Sequence, residues 1–365
     1  GELVEGKIMF YGERLNLHPV LFLYRRPNKN MIYQPRGELI IGRESQPILP
    51  GCQSALRSQQ AEERIMTQIL VSGLINIETT LKVDSFPLEY EPVRYPFFGI
   101  QSTVSGVGYN IAKALTILGE KVAFLSLIGE DLAGGQVRRS LVDDGIDESL
   151  VVNDMPATAQ SVIIYDRHGA RQIHTDLKDI QDRAYPQNLF DEALAQSSLA
   201  ILCNVNYNRP FLARANAAGV PVATDVHTVA AVDDHYNADY MGAAGILFLS
   251  DENLPCSPEQ FARRLQNRYG TAVIVIGLGK EGALLAVRDD NFMERLPAVH
   301  TRPVVNTIGA GDALFSSFNY AYSHDRDPYK AIQKAVLFAS YKIGEAGAAQ
   351  GFLSAAELAE LAAST

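Results

Sequence analysis

Val304-Val305-Asn306-Thr307-Ile308-Gly309-Ala310-Gly311-Asp312-Ala313-Leu314-Phe315 is the stretch on which the reading of the whole chain turns. Two glycines flank an alanine, an aspartate follows at once, and from Ala313 to Tyr322 the apolar positions recur at helical spacing. The pattern is a loop running into the first turn of a helix. Small residues let backbone N–H groups come close to an anion, and the helix N-terminus adds roughly half a positive charge. Gly309-Ala310-Gly311 alone would be no more than a tight turn. With Thr307 and Asp312 at fixed offsets, and strands alternating with helices ahead of it, it reads as an anion loop that sets Asp312 beside a phosphoryl group.

Working outward, Leu199 to Cys203, Pro221 to Thr224 and Ile246 to Leu249 are apolar runs of strand length, separated by helical patterns at Arg209 to Ala218 and Glu259 to Tyr269. Ile69 to Gly73 and Val122 to Ile128 add two more buried strands, and Gln136 to Asp144 reads as a helix. Tyr329 to Ile343 is a long amphipathic helix that ends at Gly344, and Ser354 caps a last one. This succession predicts an α/β fold: a doubly wound, mostly parallel sheet with helices on both faces and ligands beyond the strand C-termini. Asp225, His227 and the Ser250-Asp251-Glu252-Asn253 turn fall at such ends, His227 reading first as a structural histidine. Gln160 to Tyr165 and Arg171 to Thr175 form a hairpin. Lys178, between Asp176 and Asp179, belongs to a solvated charge cluster or meets a phosphate.

Residues 1–66 read differently. Lys7 to Phe10, Val20 to Tyr24 and Glu38 to Ile41 predict short strands between Pro- and Gly-containing turns, and Gln53 to Arg64 a polar linker. The expected organisation is an N-terminal β-rich extension over 1–66 and one catalytic domain over 67–365. Hydrophobic residues make up 47% of the 365, a globular composition. A net charge of −10 argues against a nucleic-acid partner, which needs a basic face. Cys52, Cys203 and Cys256 are few and far apart, no apolar run reaches the ~18 residues of a membrane span, and Gly1 to Gly6 is no signal peptide, so a cytoplasmic setting with no membrane partner is expected.

Asn306-Thr307-Ile308-Gly309-Ala310-Gly311-Asp312 resembles the D-T-x-G-A-G-D signature of the PfkB (ribokinase-like) carbohydrate and nucleoside kinases, with Asn at its first position. Ser105-Gly106-Val107-Gly108-Tyr109-Asn110-Ile111-Ala112 is similar to that family's G-G-x-G-x-N-x-A, and Asn76 and Glu78 stand where it has G-S-x-N-x-D. Gly129 to Gly134 resembles its G-x-D-x-x-G turn, Gly277 to Gly282 its T-x-G-x-x-G turn, and Gly347-Ala348-Ala349 its closing loop. The likeness runs from about residue 69 to 361.

The resemblance implies an ATP-dependent kinase acting on a hydroxyl of a sugar or related polyol. Asp312 would be the base, with Gly309, Ala310 and Gly311 as the anion hole. Asn76, Glu78, Gly106 and Asn110 would bind the acceptor; Gly277, Gly279, Gly282, Thr307, Gly347 and Ala348 would border the nucleotide. Mg²⁺ would be handled near Glu252, and a monovalent cation, K⁺ in ribokinases, near Asn306, where loss of the aspartate charge predicts a weaker K⁺ dependence. Segments near 77–104 and 157–175 would form a small β lid that excludes water and pairs two subunits into a homodimer. Two other readings stay open. A nucleoside kinase would use aromatic walls, for which Phe97, Phe98 and Tyr109 are the candidates. A degenerate, non-catalytic sugar or nucleotide binder would explain Ser105, Glu78, Asn306 and the altered Ser250 to Asn253 turn.

Overall fold

The computed structural model describes residues 2–4, 7–9, 68–167 and 170–364. The chain parts into two units, Gly1–Ile65 and Met66–Thr365. In the first, β1 (Glu2–Val4) and β2 (Lys7–Met9) pair antiparallel, Leu3 opposite Ile8. The strands expected at Val20 to Tyr24 and Glu38 to Ile41, and the Gln53 to Arg64 linker, lie outside the described residues.

In the second unit β3 (Gln68–Ser72), β4 (Asn76–Val83) and β5 (Ile100–Ser105) precede helix α1 (Val107–Ile117). Next come β6 (Lys121–Gly129), α2 (Leu132–Asp143), β7 (Val151–Met155), β8 (Gln160–Asp166) and β9 (Arg171–Asp176). Helix and strand then alternate through α3 (Gln187–Leu194), β10 (Ser197–Leu202), α4 (Arg209–Ala217), β11 (Val222–Asp225), α5 (Ala238–Ala243) and β12 (Ile246–Ser250). After α6 (Pro258–Tyr269) and β13 (Val273–Gly277), the chain turns back as β14 (Ala283–Val287) and β15 (Phe292–Leu296). Three helices close the chain: α7 (Ala310–Asp325), α8 (Pro328–Lys342) and α9 (Ala355–Ser364).

The main sheet runs β15-β14-β13-β12-β11-β10-β3-β6-β7, parallel from β13 to β7 and antiparallel at β14 and β15. Its inner strands β3, β6 and β10 to β14 are mainly apolar because both faces are covered, whereas the edge strands β7 and β15 carry exposed polar residues. Successive residues point to opposite sides: Ile69 and Val71 join one core with Phe315 of α7 and Ile332 of α8, while Leu70 joins another with Phe190, Phe211 and Phe261 of α3, α4 and α6. Phe248 of β12 meets Phe315 and Phe318 edge-on at 4.9 and 5.2 Å, which fixes α7 on the sheet. Such pairs add ~0.5–1.5 kcal/mol each beyond their area. Asp327 caps α8 through Tyr329 N and Lys330 N, and Ser354 with Glu357 forms a capping box at α9.

The second sheet, β5-β4-β8-β9, carries the parallel pair β4 and β8. Along β4 burial alternates, so Asn76, Glu78 and Thr80 share the covered face. Register puts Ser161 and Ile163 of β8 on that face, and Thr79, Leu81, Val162, Ile164 and Ile100 on the other. In the main sheet the connections leave β3 toward β6 but leave β10 toward β11, so the winding reverses between β3 and β10. Beyond the C-terminal ends of those strands lies the crevice in which such sheets bind ligands.

Candidate active site

Two helix N-termini converge there. Gly73 follows β3 and Gly108 lies in the first turn of α1; a Cβ on Gly108 would stand 2.6 Å from the Gly73 carbonyl carbon, so only glycine lets the helix start this close to the strand. Gly309 precedes α7 with φ +74°, and a Cβ there would lie 2.5 Å from Ala348 O. The left-handed turn and the close approach of the closing loop both require glycine. No side chain caps α7; the Ala310 N–H donates to Thr307 O at 3.3 Å, and the turn holding Gly311 and Asp312 begins the helix at the crevice.

Asp312 is the third residue of α7, and Asn110 Nδ2 donates to its Oδ2 at 2.7 Å. This bond joins segments that are 202 residues apart in sequence. Ser105 Oγ lies 3.1 Å from Glu78 Oε2 and 3.3 Å from Asn110 Oδ1, and its single proton serves one of them at a time. Asn76 Nδ2 donates to Ser161 Oγ at 3.1 Å. Asn76 Oδ1 and Glu78 Oε1 are buried with no hydrogen-bond partner among the described residues. Buried acceptors are rarely left unpaired, and two on the covered face of the small sheet suit the hydroxyl donors of a polyol.

The small sheet rests on the loop before α7. Ile163 packs with Ile308 and Ala348, Tyr165 lies against them, and Arg171 Nη1 donates to Thr307 Oγ1 at 2.9 Å. Asn306 holds the loop from below: its Oδ1 accepts from Ile308 N at 3.0 Å and its Nδ2 donates to Ala346 O at 2.6 Å. Lys342, at the end of α8, is fully buried and donates from Nζ to Ile308 O.

Charge is concentrated at this point. Burial raises the Asp312 pKa above the ordinary aspartate value; the Asn110 amide, His227 and Lys342 oppose the rise, and Asp225 adds to it. Burial also raises Glu78, against the Ser105 hydroxyl, and the neighbouring Asp312 charge adds to that rise. The Lys342 ammonium is pushed down to about 8 by burial, while Asp312 and Glu78 favour its charged form. Burial pushes the Cys203 thiol up, so it stays a neutral packing group.

Thr307, Gly309 to Asp312, Gly347 and Ala348 thus come together with Asn76, Glu78, Gly106 and Asn110. Gly277, Gly279 and Gly282 stand farther along the edge of the sheet: Gly277 pairs with Ser250, and a side chain on Gly282 would run into Leu296 O. Glu252 is exposed, its amide on Ser250 Oγ at 3.2 Å, whereas Asp225 lies near the loop, its Oδ2 4.0 Å from where a Cβ on Gly311 would be. Phe97 and Phe98 are neither pocket wall nor core: they are 85% and 101% exposed, on an excursion that leaves the sheet between β4 and β5. Tyr109 is core, its hydroxyl on Asp144. Lys178 pairs with Asp176. Sequence reading passed over Lys342 and Arg171. A lysine in the last turn of an amphipathic helix reads as a solvated end group, and a hairpin arginine carries no periodic signal.

The profile of the pfkB family carbohydrate kinases matches residues 66–355, and the chain belongs to that family. The acarbose 7(IV)-phosphotransferase of an Actinoplanes species is 25% identical over 70% of this chain and 85% of its own. The bifunctional protein HldE of a Nitratiruptor species is 24% identical over 80% of this chain, which spans 64% of that relative's length. Among solved structures, the microbiome-derived acarbose kinase Mak1 superposes with a TM-score of 0.74 over 81% of this chain and 99% of its own, at 24% identity. Carbohydrate-kinase relatives of this kind define an α/β phosphotransferase with a large, mostly parallel sheet and a small second one. Among the described residues no helix is long and apolar enough to cross a membrane.

Proposed function

We propose that the chain transfers the γ-phosphoryl group of ATP to a hydroxyl of a sugar or related polyol. The observation that carries this is the 2.7 Å bond from Asn110 to Asp312, which sets a raised-pKa carboxylate between orphaned polyol acceptors and an uncapped helix N-terminus. Asp312 takes the proton of the acceptor hydroxyl as its oxygen attacks phosphorus. Asn110 orients that carboxylate, and Asn76 and Glu78 hold neighbouring hydroxyls. Backbone N–H groups of Gly309, Ala310 and Gly311 receive the charge spreading over the transferred phosphoryl oxygens.

Mg²⁺ carried by the nucleotide would neutralise phosphate charge. Such an ion would be held mainly by the phosphates and water. Asp225, whose Oδ2 lies 4.0 Å from where a Cβ on Gly311 would be, fits such an ion better than the exposed Glu252. Phe97 and Phe98, exposed, and Tyr109, in the core, do not supply the aromatic wall that a nucleoside acceptor would use. The lid's outer face is read as a homodimer contact.

ADP release with ATP and Mg²⁺, measured against pentoses, hexoses, sugar phosphates and nucleosides, tests the reading. Asp312→Ala should lower kcat on the acceptor found by ~10²–10⁴ and leave the nucleotide-induced thermal shift in place. Near-normal turnover by that variant removes Asp312 as the base. Silence of the wild type across the panel, with nucleotide still bound, favours a non-catalytic binder.

A further inference from the structure

Among the described residues Lys342 is the one buried lysine or arginine. A buried ammonium is unfavourable unless acceptors and opposite charge hold it. Here Nζ donates to Ile308 O, the carbonyl immediately before Gly309, and Asp312, Glu78 and Glu345 favour the charge while Arg302 opposes it. Both backbone groups of Ile308 are held, its N–H by Asn306 Oδ1 and its carbonyl by Lys342. Asn306 Nδ2 covers Ala346 O in the closing loop at 2.6 Å.

Those contacts bear on the monovalent cation that the resemblance to ribokinases implies. Such an ion needs oxygen ligands free to face it. Asn306 presents an amide nitrogen to the Ala346 carbonyl, and the Ile308 carbonyl is taken by an ammonium, so these residues do not fit a K⁺ site. We infer that Lys342 is a built-in cation: its ammonium fixes the Ile308 carbonyl and brings positive charge to the anion loop, so that nucleotide binding and turnover need no monovalent metal ion. Lys342 is a positioning residue, acting through the loop and not on the acceptor. The inference rests on the kinase reading for its turnover arm only.

The test uses the full chain with Mg²⁺ in a tetramethylammonium buffer, exchanging tetramethylammonium chloride for KCl at constant ionic strength. Two quantities are followed: the Kd of ADP by calorimetry, which needs no acceptor, and kcat and KM on the acceptor found. For the wild type both should change by less than about twofold with K⁺, the margin within which general ionic effects fall. Lys342→Ala should weaken ADP binding and lower kcat by about tenfold or more, with acceptor KM moving less, and K⁺ or NH₄⁺ entering the vacated volume should restore part of the loss. Lys342→Met, which fills the volume without charge, should show the loss without the rescue, and Lys342→Arg should retain more than either. Activation of the wild type by K⁺ of about tenfold, or a Lys342→Met variant with wild-type Kd and kcat, overturns the inference. If the variants fail to fold, the wild-type titration alone decides it. A wild type that phosphorylates nothing yet binds ADP without regard to K⁺ removes the kinase reading and keeps Lys342 in this role.

Discussion

In the role proposed for it Asp312 acts as an anion, yet it sits where burial favours its neutral form. Its carboxylate is the active species, so kcat/KM should fall as pH drops through the raised pKa, and the acid limb of the profile should lie above the ordinary aspartate value. Asp225 contributes to the rise and His227 to its opposition. Asp225→Asn removes a like charge, makes ionised Asp312 easier to form and moves the acid limb to lower pH. Profiles of kcat/KM for the two proteins, at fixed ionic strength, check this. A limb that stays in place, or moves up, means that another group titrates there. Asn110 was legible beforehand because its spacing from Gly106 and Gly108 is part of a pattern. Lys342 was not, since nothing in an amphipathic helix distinguishes a last-turn lysine that reaches water from one that reaches a carbonyl underneath.

At the scale of elements, the proposed chemistry depends on the start of α7, because one backbone turn positions Gly311, Asp312 and the N–H groups of the first turn together. Gly309→Ala puts a side chain on a residue at φ +74° and within 2.5 Å of Ala348 O. The left-handed conformation alone costs ~1–2 kcal/mol, and a domain of this size loses about 2–4 °C of Tm per kcal/mol. Since a misplacement of about 1 Å at a reacting centre can cost ~10² in rate, kcat should fall by more than the stability loss explains. Calorimetry beside steady-state kinetics separates the two: a lowered Tm with wild-type kcat would make the glycine a packing requirement only. The long apolar strands and α7 were readable from pattern, but the short helices α3 and α5 were not. They bury few side chains, Phe190, Ala193 and Leu194 in one and Tyr240 and Met241 in the other, too few for a helical period to stand out. β15 has no buried residue and so shows no strand alternation.

At the scale of the molecule, the fold was legible because a sheet covered on both faces writes itself into the sequence as uninterrupted apolar runs. The small sheet writes a fainter signal, for one side faces the site and carries polar residues. Its other side presents Ile100 and Val162, 58% and 41% exposed, in rows with Leu81 and Ile164. Apolar side chains in register on an open sheet face suit burial against another surface. A second copy is the occupant proposed above, and a two-fold contact would place each residue of the face opposite the same face of the partner. Val162→Glu would then introduce two like charges into one apolar contact and should weaken the dimer by at least ~10-fold, a single central contact being worth that much. Sedimentation velocity over a range of protein concentrations would show a dimer for the wild type and a monomer for the variant. Turnover should persist in that monomer, because Asn76, Glu78, Asn110 and Asp312 all come from one chain. A wild type that sediments as a monomer at every concentration, or a variant that dimerises as tightly, leaves the outer face of the lid without a partner copy. If the variant dissociates and also loses activity, the lid depends on its partner to stay seated on Ile308 and Ala348, and the two functions of the small sheet are one.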